Sequence, residues 1–300
     1  MNTIISIGDL SKRYGDFAAV SNLTLDVTEG SICGLLGPNG AGKTTTFKCL
    51  LGFTRPTSGR ILLDGKPLEP ATFERLSYVP ERSSLYGWMT IDQHLELHRR
   101  SFEHYDDARA RDLLSTFDLD PRKRVQRLSK GQQTAVSLVL AFSTRPKILI
   151  LDEPASGLDP IFQRFVIDLM IDASANGATV LFSSHQITQV ERAADRVAIL
   201  KKGRLVLDAE VDALKSDEKV VEAVFDHTVP GLDVIANDVR VRRFERSGRI
   251  VRAYVHTDAG EIMRRLVEFG PRSVNILDLN LEDIFLNAVE AGRATTTEKP

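Results

Sequence analysis

The chain has little cysteine: Cys33 and Cys49 are its 2 cysteines among 300 residues, and neither lies in a Cys-x-x-Cys pair or near a histidine cluster. Two isolated thiols give no sign of a disulfide framework or of a Cys/His zinc site. We therefore expect two reduced core thiols, as in a cytosolic protein.

Long apolar runs are also absent. The longest apolar stretches, such as residues 136–142 and 148–151, are far shorter than the roughly 18 residues that span a bilayer. Residues 1–10 have neither a basic region nor an apolar core of the kind found in signal peptides. If the protein works at a membrane, we expect another chain to hold it there.

Net charge is small as well, because 39 basic residues face 41 acidic ones for a formal charge of −2. Such a balance gives no general attraction to nucleic acid or to an anionic membrane surface. A partner must therefore be recognised locally.

Short β-rich runs alternate with helical patterns through the first two thirds of the chain. This alternation predicts an α/β fold with a parallel sheet and helices packed on its faces. The clearest predicted strands are residues 31–36, 147–151, 178–183 and 196–201. Residues 86–144 are mostly helical in pattern, with segments at 91–100, 106–117 and 131–143, and we interpret them as a helical subdomain inserted against the sheet.

After residue 215 the pattern restarts and predicts a small α+β accessory domain over residues 216–292. Its predicted strands are 220–225, 239–245, 249–256 and 273–279, with helices at 258–269 and from Asn280 onward. The tail, residues 293–300, is polar and is predicted to be disordered. The predicted first domain is residues 1–215.

A phosphate-binding loop follows the strand at residues 31–36 and precedes a helical run. Its glycines let backbone N–H groups turn toward phosphate oxygens, and the helix start adds the positive end of its dipole. Lys43 can reach the β and γ phosphates, and the Thr44 hydroxyl can ligate Mg²⁺. The predicted ATP contacts here are Gly37, Pro38, Asn39, Gly40, Ala41, Gly42, Lys43, Thr44 and Thr45.

Two adjacent carboxylates, Asp152 and Glu153, end the apolar strand at residues 147–151. Ligands of parallel α/β sheets bind at this end of the strands. We expect Asp152 to hold the Mg²⁺ shell through water and Glu153 to orient, or take a proton from, the water that attacks the γ-phosphate.

The run Leu128-Ser129-Lys130-Gly131-Gln132-Gln133 closely resembles the LSGGQ signature of ABC ATPases. The order of motifs also resembles that family, with Ser156-Gly157-Leu158-Asp159 as the D-loop and Ser183-Ser184-His185 carrying the switch histidine. The resemblance covers about residues 1–215. It implies the ABC ATPase fold, a P-loop NTPase sheet with a helical subdomain, and an ATPase that uses ATP and Mg²⁺.

In that family two nucleotide-binding domains face each other, and each ATP lies between the P-loop of one domain and the signature of the other. The resemblance therefore implies a homodimer, or a heterodimer with a second nucleotide-binding subunit. Ser129, Gly131 and Gln132 would contact ATP across that dimer, near a helix N-terminus that favours an anion.

Three further roles come from the resemblance alone. Asp159 would bridge the two halves of the dimer, and His185 would hydrogen-bond the γ-phosphate and hold the attacking water. Tyr14, in Lys-Arg-Tyr-Gly, matches the aromatic residue that stacks on adenine.

The sequence departs from the family pattern at two positions. Glu81 stands where the family usually has the Q-loop glutamine; a carboxylate could ligate Mg²⁺, but it would repel the γ-phosphate when the metal is absent. Lys130 replaces the first glycine of the signature and leaves Ser129 and Gly131 in place, so we expect activity to survive.

The segment Asn280-Leu-Glu-Asp-Ile-Phe-Leu286 and the Pro80-Glu81 pair resemble ATPase subunits that work with ABC-2-type permeases, mostly exporters. The resemblance implies a separate transmembrane permease as partner, export as the direction, and a peripheral position on the cytoplasmic face of the plasma membrane. Residues 85–89 carry bulky side chains where the family receives a permease coupling helix, although such a cluster is also typical of a core.

Two alternatives stay open at the level of sequence. A soluble ABC ATPase acting on nucleic acid or the ribosome is one, and the arginine-rich hairpin at residues 240–252 could serve it, although arginines on a solvated face explain that hairpin more simply. We expect no nucleic-acid partner. The other is a regulatory nucleotide-binding module of low turnover, which Glu81 suggests.

Overall fold

The computed structural model describes residues 2–217, 219–227, 229–278 and 283. The chain divides into two compact units, Met1–Asp208 and Ala209–Pro300, whereas the sequence pattern predicts a domain boundary at residue 215. The predicted helix from Asn280 and the predicted disordered tail at 293–300 lie outside the described residues, apart from Asp283, which is helical.

Most strands belong to the first unit. In chain order they are β1 (Thr3–Tyr14), β2 (Phe17–Thr28), β3 (Ile32–Leu36), β4 (Ser58–Leu63), β5 (Lys66–Pro67), β6 (Leu76–Val79), β7 (Ile148–Asp152), β8 (Thr179–Ser184), β9 (Arg196–Lys201) and β10 (Arg204–Glu210), the last of which crosses the unit boundary. The helices of this unit are α1 (Lys43–Leu50), α2 (Ile91–Ser101), α3 (Asp107–Thr116), α4 (Lys130–Phe142), α5 (Pro160–Ala175) and α6 (Ile187–Ala193), with 3₁₀ turns at Pro70–Phe73 and Val125–Arg127.

A six-stranded sheet forms the centre of this unit, in the order β10-β9-β3-β8-β7-β6. β3 runs parallel to β8 and β9, and β7 runs parallel to β6 and β8. Every residue of β3, β7 and β8 is buried, as expected for parallel strands covered on both faces. The predicted parallel α/β sheet is confirmed, and the ends of β3, β7 and β8 bring their motifs to one edge.

A second sheet, β2-β1-β4-β5, is antiparallel and was not predicted. One core cluster joins its apolar residues, among them Ile5 and Leu25, to Leu35 of β3, Phe47 of α1 and Leu181 of β8. Cys33 and Cys49 are free and buried in this cluster, and burial raises the pKa of the Cys33 thiol to about 12. Both thiols are therefore unreactive core groups.

Side-chain capping boxes mark the starts of two helices in the helical subdomain. Thr90 and Gln93 form a reciprocal capping box at the start of α2, and Ser129 and Gln132 form another at the start of α4. α2 and α3 both pack on α4, and α4 in turn packs on β6. The insertion therefore attaches to the edge of the central sheet through α4.

The second unit contains α7 (Val211–Asp217), β11 (Lys219–Val224), α8 (Asp233–Ala236), β12 (Val241–Ser247), β13 (Ile250–Val255), α9 (Ala259–Val267) and β14 (Ser273–Asp278). Its antiparallel sheet has the order β12-β13-β11-β14, and the α+β prediction is confirmed. Val221, Val251, Ile262 and Leu266 are among the residues of its own core.

Asp238 links the loop between α8 and β12 to α9 in this second unit. Its carboxylate binds the Arg240 guanidinium at 2.8 and 2.9 Å and also pairs with Arg265 of α9. These contacts hold the pKa of Asp238 well below its usual range, with Arg240 as the largest cause.

The arginines of the β12–β13 region bind groups of the same unit. Arg252 pairs with Glu222 at 2.8 Å, Arg246 donates to the Val229 carbonyl at 2.8 Å, and Arg249 donates to the Asp226 carbonyl at 3.2 Å. These contacts give the nucleic-acid alternative no support. Within the described part of the chain, no helix has the length and apolar character needed to cross a membrane.

Candidate nucleotide site

The loop between β3 and α1 is built so tightly that two of its glycines have no substitute. A Cβ on Gly37 would lie 2.4 Å from the Leu200 carbonyl oxygen. Gly42 has a φ of +108°, and a Cβ there would lie 2.6 Å from the Ala19 carbonyl oxygen. Both backbones approach other strands so closely that a side chain at either position would displace the loop that leads into α1. Backbone N–H groups in such a loop can bind phosphate oxygens.

Lys43 opens α1 and is buried. Its Nζ donates to the Gly37 carbonyl at 2.6 Å and lies 3.2 Å from Oε1 of Glu153. The second contact is an ion pair without the alignment of a hydrogen bond, since Oε1 of Glu153 has no hydrogen-bond partner among the described residues. The P-loop lysine and the acidic strand end are therefore in direct contact.

Asp152 ends β7 and is almost fully buried. Burial raises the pKa of its carboxyl group; the hydrogen bond from the Ser183 hydroxyl and the nearby Thr44 hydroxyl oppose this, and the charges of Glu81 and Glu153 add to it. Oδ1 accepts from Ser183 Oγ at 2.6 Å, whereas Oδ2 is buried and has no well-formed partner in the described part of the chain.

Glu153 follows with an unusual backbone, a φ of +53°, which is rare for a residue with a side chain. Its N–H donates to Ser183 Oγ at 3.0 Å. Its Oε2 accepts from Nδ1 of His185 at 2.8 Å, and the side chain is only 10% exposed. Glu153 thus lies between Lys43 and the histidine after β8.

These groups surround one cleft of about 440 Å³. Its lining comprises Phe17, Ala19, Asn39, Gly40, Ala41, Gly42, Lys43, Thr44, Thr45, Glu81, Glu153, Ser156 and His185. Glu81 is exposed at the surface of this cleft. The structure therefore brings residues 39–45 of the predicted P-loop together with Glu81, Glu153 and His185, and Asp152 is buried next to them. The predicted contacts Gly37 and Pro38 do not line the cleft.

Other predicted site residues do not line this cleft. Ser129 and Gln132 bond to each other in the capping box of α4, and Asp159 caps α5 by accepting from the N–H groups of Ile161 and Phe162. Gly131 approaches the Gly157 backbone, because a Cβ there would lie 2.9 Å from its carbonyl oxygen. The signature and D-loop segments therefore meet each other and leave the cleft open.

Tyr14 is also outside the lining, half exposed, with the Lys12 ammonium 4.9 Å from its ring centre. Phe17, its partner across the β1–β2 hairpin, lines the cleft and was not predicted. The hairpin pairing of two aromatic residues beside a P-loop could have indicated it. The adenine-stacking role of Tyr14 stays a prediction.

The predicted docking segment at residues 85–89 lies at the surface. Tyr86 and Trp88 are both exposed and contact each other at 6.0 Å between ring centres. His94 of α2 supports them: its Nε2 accepts the Tyr86 N–H at 3.0 Å, and its Nδ1 bonds the Thr90 carbonyl at 2.9 Å. The aromatic pair is therefore surface and not core.

A glycine loop between a buried parallel strand and a helix, with a second strand ending in Asp-Glu beside it, defines a P-loop ATPase. Residues 20–156 match the family model described as ABC transporter. The ABC transporter ATP-binding protein YtrB of Bacillus subtilis (strain 168) is 29% identical over 94% of this chain and 97% of that protein. Nod factor export ATP-binding protein I of Cupriavidus metallidurans is 31% identical over 95% of this chain and 97% of that protein.

Among solved structures, an ATP-binding subunit of an ABC transporter superposes with a TM-score of 0.66 at 32% identity, over 71% of this chain and 92% of that chain. The chain belongs to the family of ABC transporter ATP-binding subunits, and it is a nucleotide-binding ATPase. Subunits of this family dimerise and act with transmembrane permeases.

Proposed function

We propose that this subunit hydrolyses ATP with Mg²⁺ in the cleft between the P-loop and the end of β7. The P-loop backbone binds the phosphates, and Lys43 neutralises the β and γ phosphates. The observation that carries the proposal is the convergence of Lys43, Glu153 and His185 within hydrogen-bond or ion-pair distance.

The residues present fit a magnesium ion. Oδ2 of Asp152 is a buried oxygen without a well-formed partner, and the Thr44 hydroxyl acts on the same carboxyl group. Within the described residues no group of three or more His, Cys, Asp or Glu side chains could hold a metal alone. This suits Mg²⁺, which is held by one or two carboxylates together with substrate phosphates. Thr44 and Asp152 would hold the ion, with Glu81 as a further oxygen ligand, and the bound ion would neutralise phosphate charge.

Glu153 is the proposed general base. Its carboxylate orients the attacking water and accepts a proton from it, and the Nδ1–H of His185 fixes the direction of that carboxylate. His185 lines the cleft and is 44% exposed, so its ring is accessible to a phosphate bound there. The exposed Glu81 contributes negative charge to the same cleft, which favours nucleotide with its metal over nucleotide alone.

A complete site needs two chains. Ser129, Gly131, Gln132 and Asp159 do not line the cleft that holds Lys43, so we propose that they bind the ATP of a second subunit, either another copy or a sister chain. Ser129 is the N-cap of α4, a helix of 13 residues whose N-terminus favours an anion.

Light scattering of Glu153→Gln with MgATP tests this arrangement, with phosphate release measured on wild type. We expect turnover in wild type only, and an ATP-dependent dimer of Glu153→Gln. Adding Ser129→Asp keeps a capping residue for α4 but sets a carboxylate against the phosphate, so the dimer should be lost while monomeric ATP binding persists. An unaltered dimer in that double variant would rule out the signature contact.

We further propose export as the direction and a peripheral position on the cytoplasmic face of the plasma membrane, held by a permease. The support is the name of the Nod factor export relative, the resemblance of the Pro80-Glu81 pair to subunits of exporters, and the exposed Tyr86–Trp88 pair beside α2. Reconstitution with a co-expressed permease in inverted vesicles, with ATP added to the bath, distinguishes the two directions: export should carry cargo into the vesicle lumen, whereas ATP-driven movement of cargo out of the lumen would show import.

A further inference from the structure

Ser183 is a polar side chain in the most buried part of the central sheet. It is 0% exposed, lies one residue before the end of β8, and is the register partner of Asp152 across the β7–β8 pair. A buried hydroxyl needs partners of its own, because an unsatisfied polar group is costly to bury. Both of its partners belong to the proposed catalytic strand end.

The hydroxyl of Ser183 is used twice. It donates to Oδ1 of Asp152 at 2.6 Å and accepts the backbone N–H of Glu153 at 3.0 Å. A serine hydroxyl has one proton to donate, so the bond to Asp152 takes its whole donor capacity. One atom thus ties together two consecutive acidic residues that have different proposed tasks.

The second bond matters because of the backbone of Glu153. With a φ of +53° this residue lies in the left-handed region, which is unfavourable for a side chain with a Cβ. The bond from its N–H to Ser183 stabilises that conformation. From there the carboxylate turns back to Lys43 at 3.2 Å and His185 at 2.8 Å.

We propose that Ser183 is a positioning residue for hydrolysis, which rests on the proposed function of Asp152 and Glu153. By occupying Oδ1 it leaves Oδ2 of Asp152 for the magnesium shell, and by holding the Glu153 backbone it fixes the general base relative to the metal. Ser183 itself touches neither phosphate nor water in this role.

The adjacent serine supplies a matched control. Ser184 is also 0% exposed, but its hydroxyl donates to Gln189 Oε1 at 2.9 Å and accepts the Gln186 N–H at 2.9 Å, away from both carboxylates. Ser183→Ala and Ser184→Ala therefore remove the same group from the same strand. Ser183→Thr keeps the hydroxyl, and Ser183→Cys keeps the approximate volume with a much weaker hydrogen-bonding group.

Two measurements test the role. Calorimetric titration with ADP, with and without Mg²⁺, needs no turnover; steady-state phosphate release gives kcat and its Mg²⁺ dependence. Ser183→Ala should bind ADP without Mg²⁺ like wild type, yet lose about 10- to 100-fold of the affinity gain that Mg²⁺ confers, and kcat should fall by a similar factor. Ser183→Thr should recover most of both, and Ser184→Ala should change neither.

The possible outcomes distinguish a failure of the proposed function from a failure of the role proposed for Ser183. A wild-type protein that neither hydrolyses ATP nor gains ADP affinity with Mg²⁺ would overturn the proposed function itself. Wild-type behaviour as proposed, together with Ser183→Ala indistinguishable from Ser184→Ala, would overturn only the role of Ser183. An equal loss of ADP affinity with and without Mg²⁺ would show a merely structural serine. If Ser183→Ala does not fold, Ser183→Cys must show the same selective loss.

Discussion

The ion pair with Glu153 engages the Lys43 ammonium group, which a bound nucleotide needs for its phosphates. Lys43 cannot neutralise a β-phosphate while it faces Oε1 of Glu153 at 3.2 Å, so binding must break this pair. Replacing Glu153 by Gln removes the competing charge. We therefore expect Glu153→Gln to bind ADP more tightly than wild type in the absence of Mg²⁺.

The size of the gain follows from the distance. Two unit charges at 3.2 Å attract by about 5 kcal/mol at an effective dielectric constant of about 20. Wild type regains most of this attraction when ADP binds, because the β-phosphate replaces the carboxylate beside Lys43 and Glu153 keeps its contact with His185. We take ~1.5 kcal/mol, the low end of couplings measured for close charge pairs. The expected gain in ADP affinity is therefore about tenfold.

Isothermal titration of ADP and AMP in EDTA measures this gain. AMP lacks the β-phosphate, so its affinity should stay within about twofold of wild type if the pair is what matters. Glu81→Gln is the matched control, because Glu81 lines the same cleft and is not paired with Lys43. Equal gains in Glu81→Gln and Glu153→Gln, or an equal gain for AMP, would refute the competition and leave only a general effect of charge.

Three further predictions concern stability and docking. Asp238→Asn should lower the free energy of unfolding of the second unit by ~2 kcal/mol, while the exposed Asp226→Asn changes it by less than about 0.5 kcal/mol in urea melts. Because the folded-state pKa of Asp238 is depressed, its contribution to the free energy of unfolding is complete above the unfolded pKa of about 3.9 and is lost as pH falls below that value. The unfolding free energies of wild type and Asp238→Asn should therefore converge in acid. A difference that stays constant with pH would contradict the charge pairing. Gly37→Ala should abolish ADP binding or folding, because its Cβ would clash with the Leu200 carbonyl oxygen. Gly40→Ala, with a φ of +79° but nothing within 4 Å of its Cβ, should lower the free energy of unfolding by only ~1 kcal/mol. Equal losses of stability and of ADP affinity in the two variants would contradict the close approach at Gly37. Trp88→Ala should leave melting temperature and ATP binding unchanged but reduce co-purification of the permease, and unchanged recovery would exclude this surface.

The central sheet was readable from the sequence because its strands are short apolar runs with strong local signals. β9 has the predicted bounds, β3 begins one residue later than predicted, and β7 and β8 each begin and end one residue later than predicted. The antiparallel sheet was missed for a physical reason. The burial pattern of β1 is irregular, its pairing with β2 contains several register shifts, and it also pairs with β4, which is distant in sequence. The tight turn between Tyr14 and Phe17 is a local signal of the β1–β2 hairpin, but it does not indicate the rest of the sheet.

The candidate site likewise has a part that the sequence predicts and a part that it does not. The P-loop, Asp152 and Glu153 carry their chemistry in their spacing, and the structure brings them together. The contacts among them do not follow from spacing, because Ser183 and Lys43 lie far from Glu153 in the chain and meet it only through the parallel pairing of β3, β8 and β7. Phe17 was missed because its position depends on a hairpin in the unpredicted sheet.

In the single chain, both elements proposed to bind phosphate already have partners within the chain. Lys43 is paired with Glu153, and the signature serine is paired with Gln132 through reciprocal bonds of 3.1 and 3.2 Å. Each pairing keeps polar groups from being left without partners when no phosphate is present. We expect nucleotide to break the first pairing, so the free energy of the Lys43–Glu153 contact opposes nucleotide binding. The second pairing can persist, because Ser129 Oγ accepts the Gln132 N–H and no contact among the described residues uses its hydroxyl proton. That proton can then be donated to the γ-phosphate of a facing subunit's ATP, which ADP lacks. We therefore propose a dimer that closes on ATP and opens after hydrolysis.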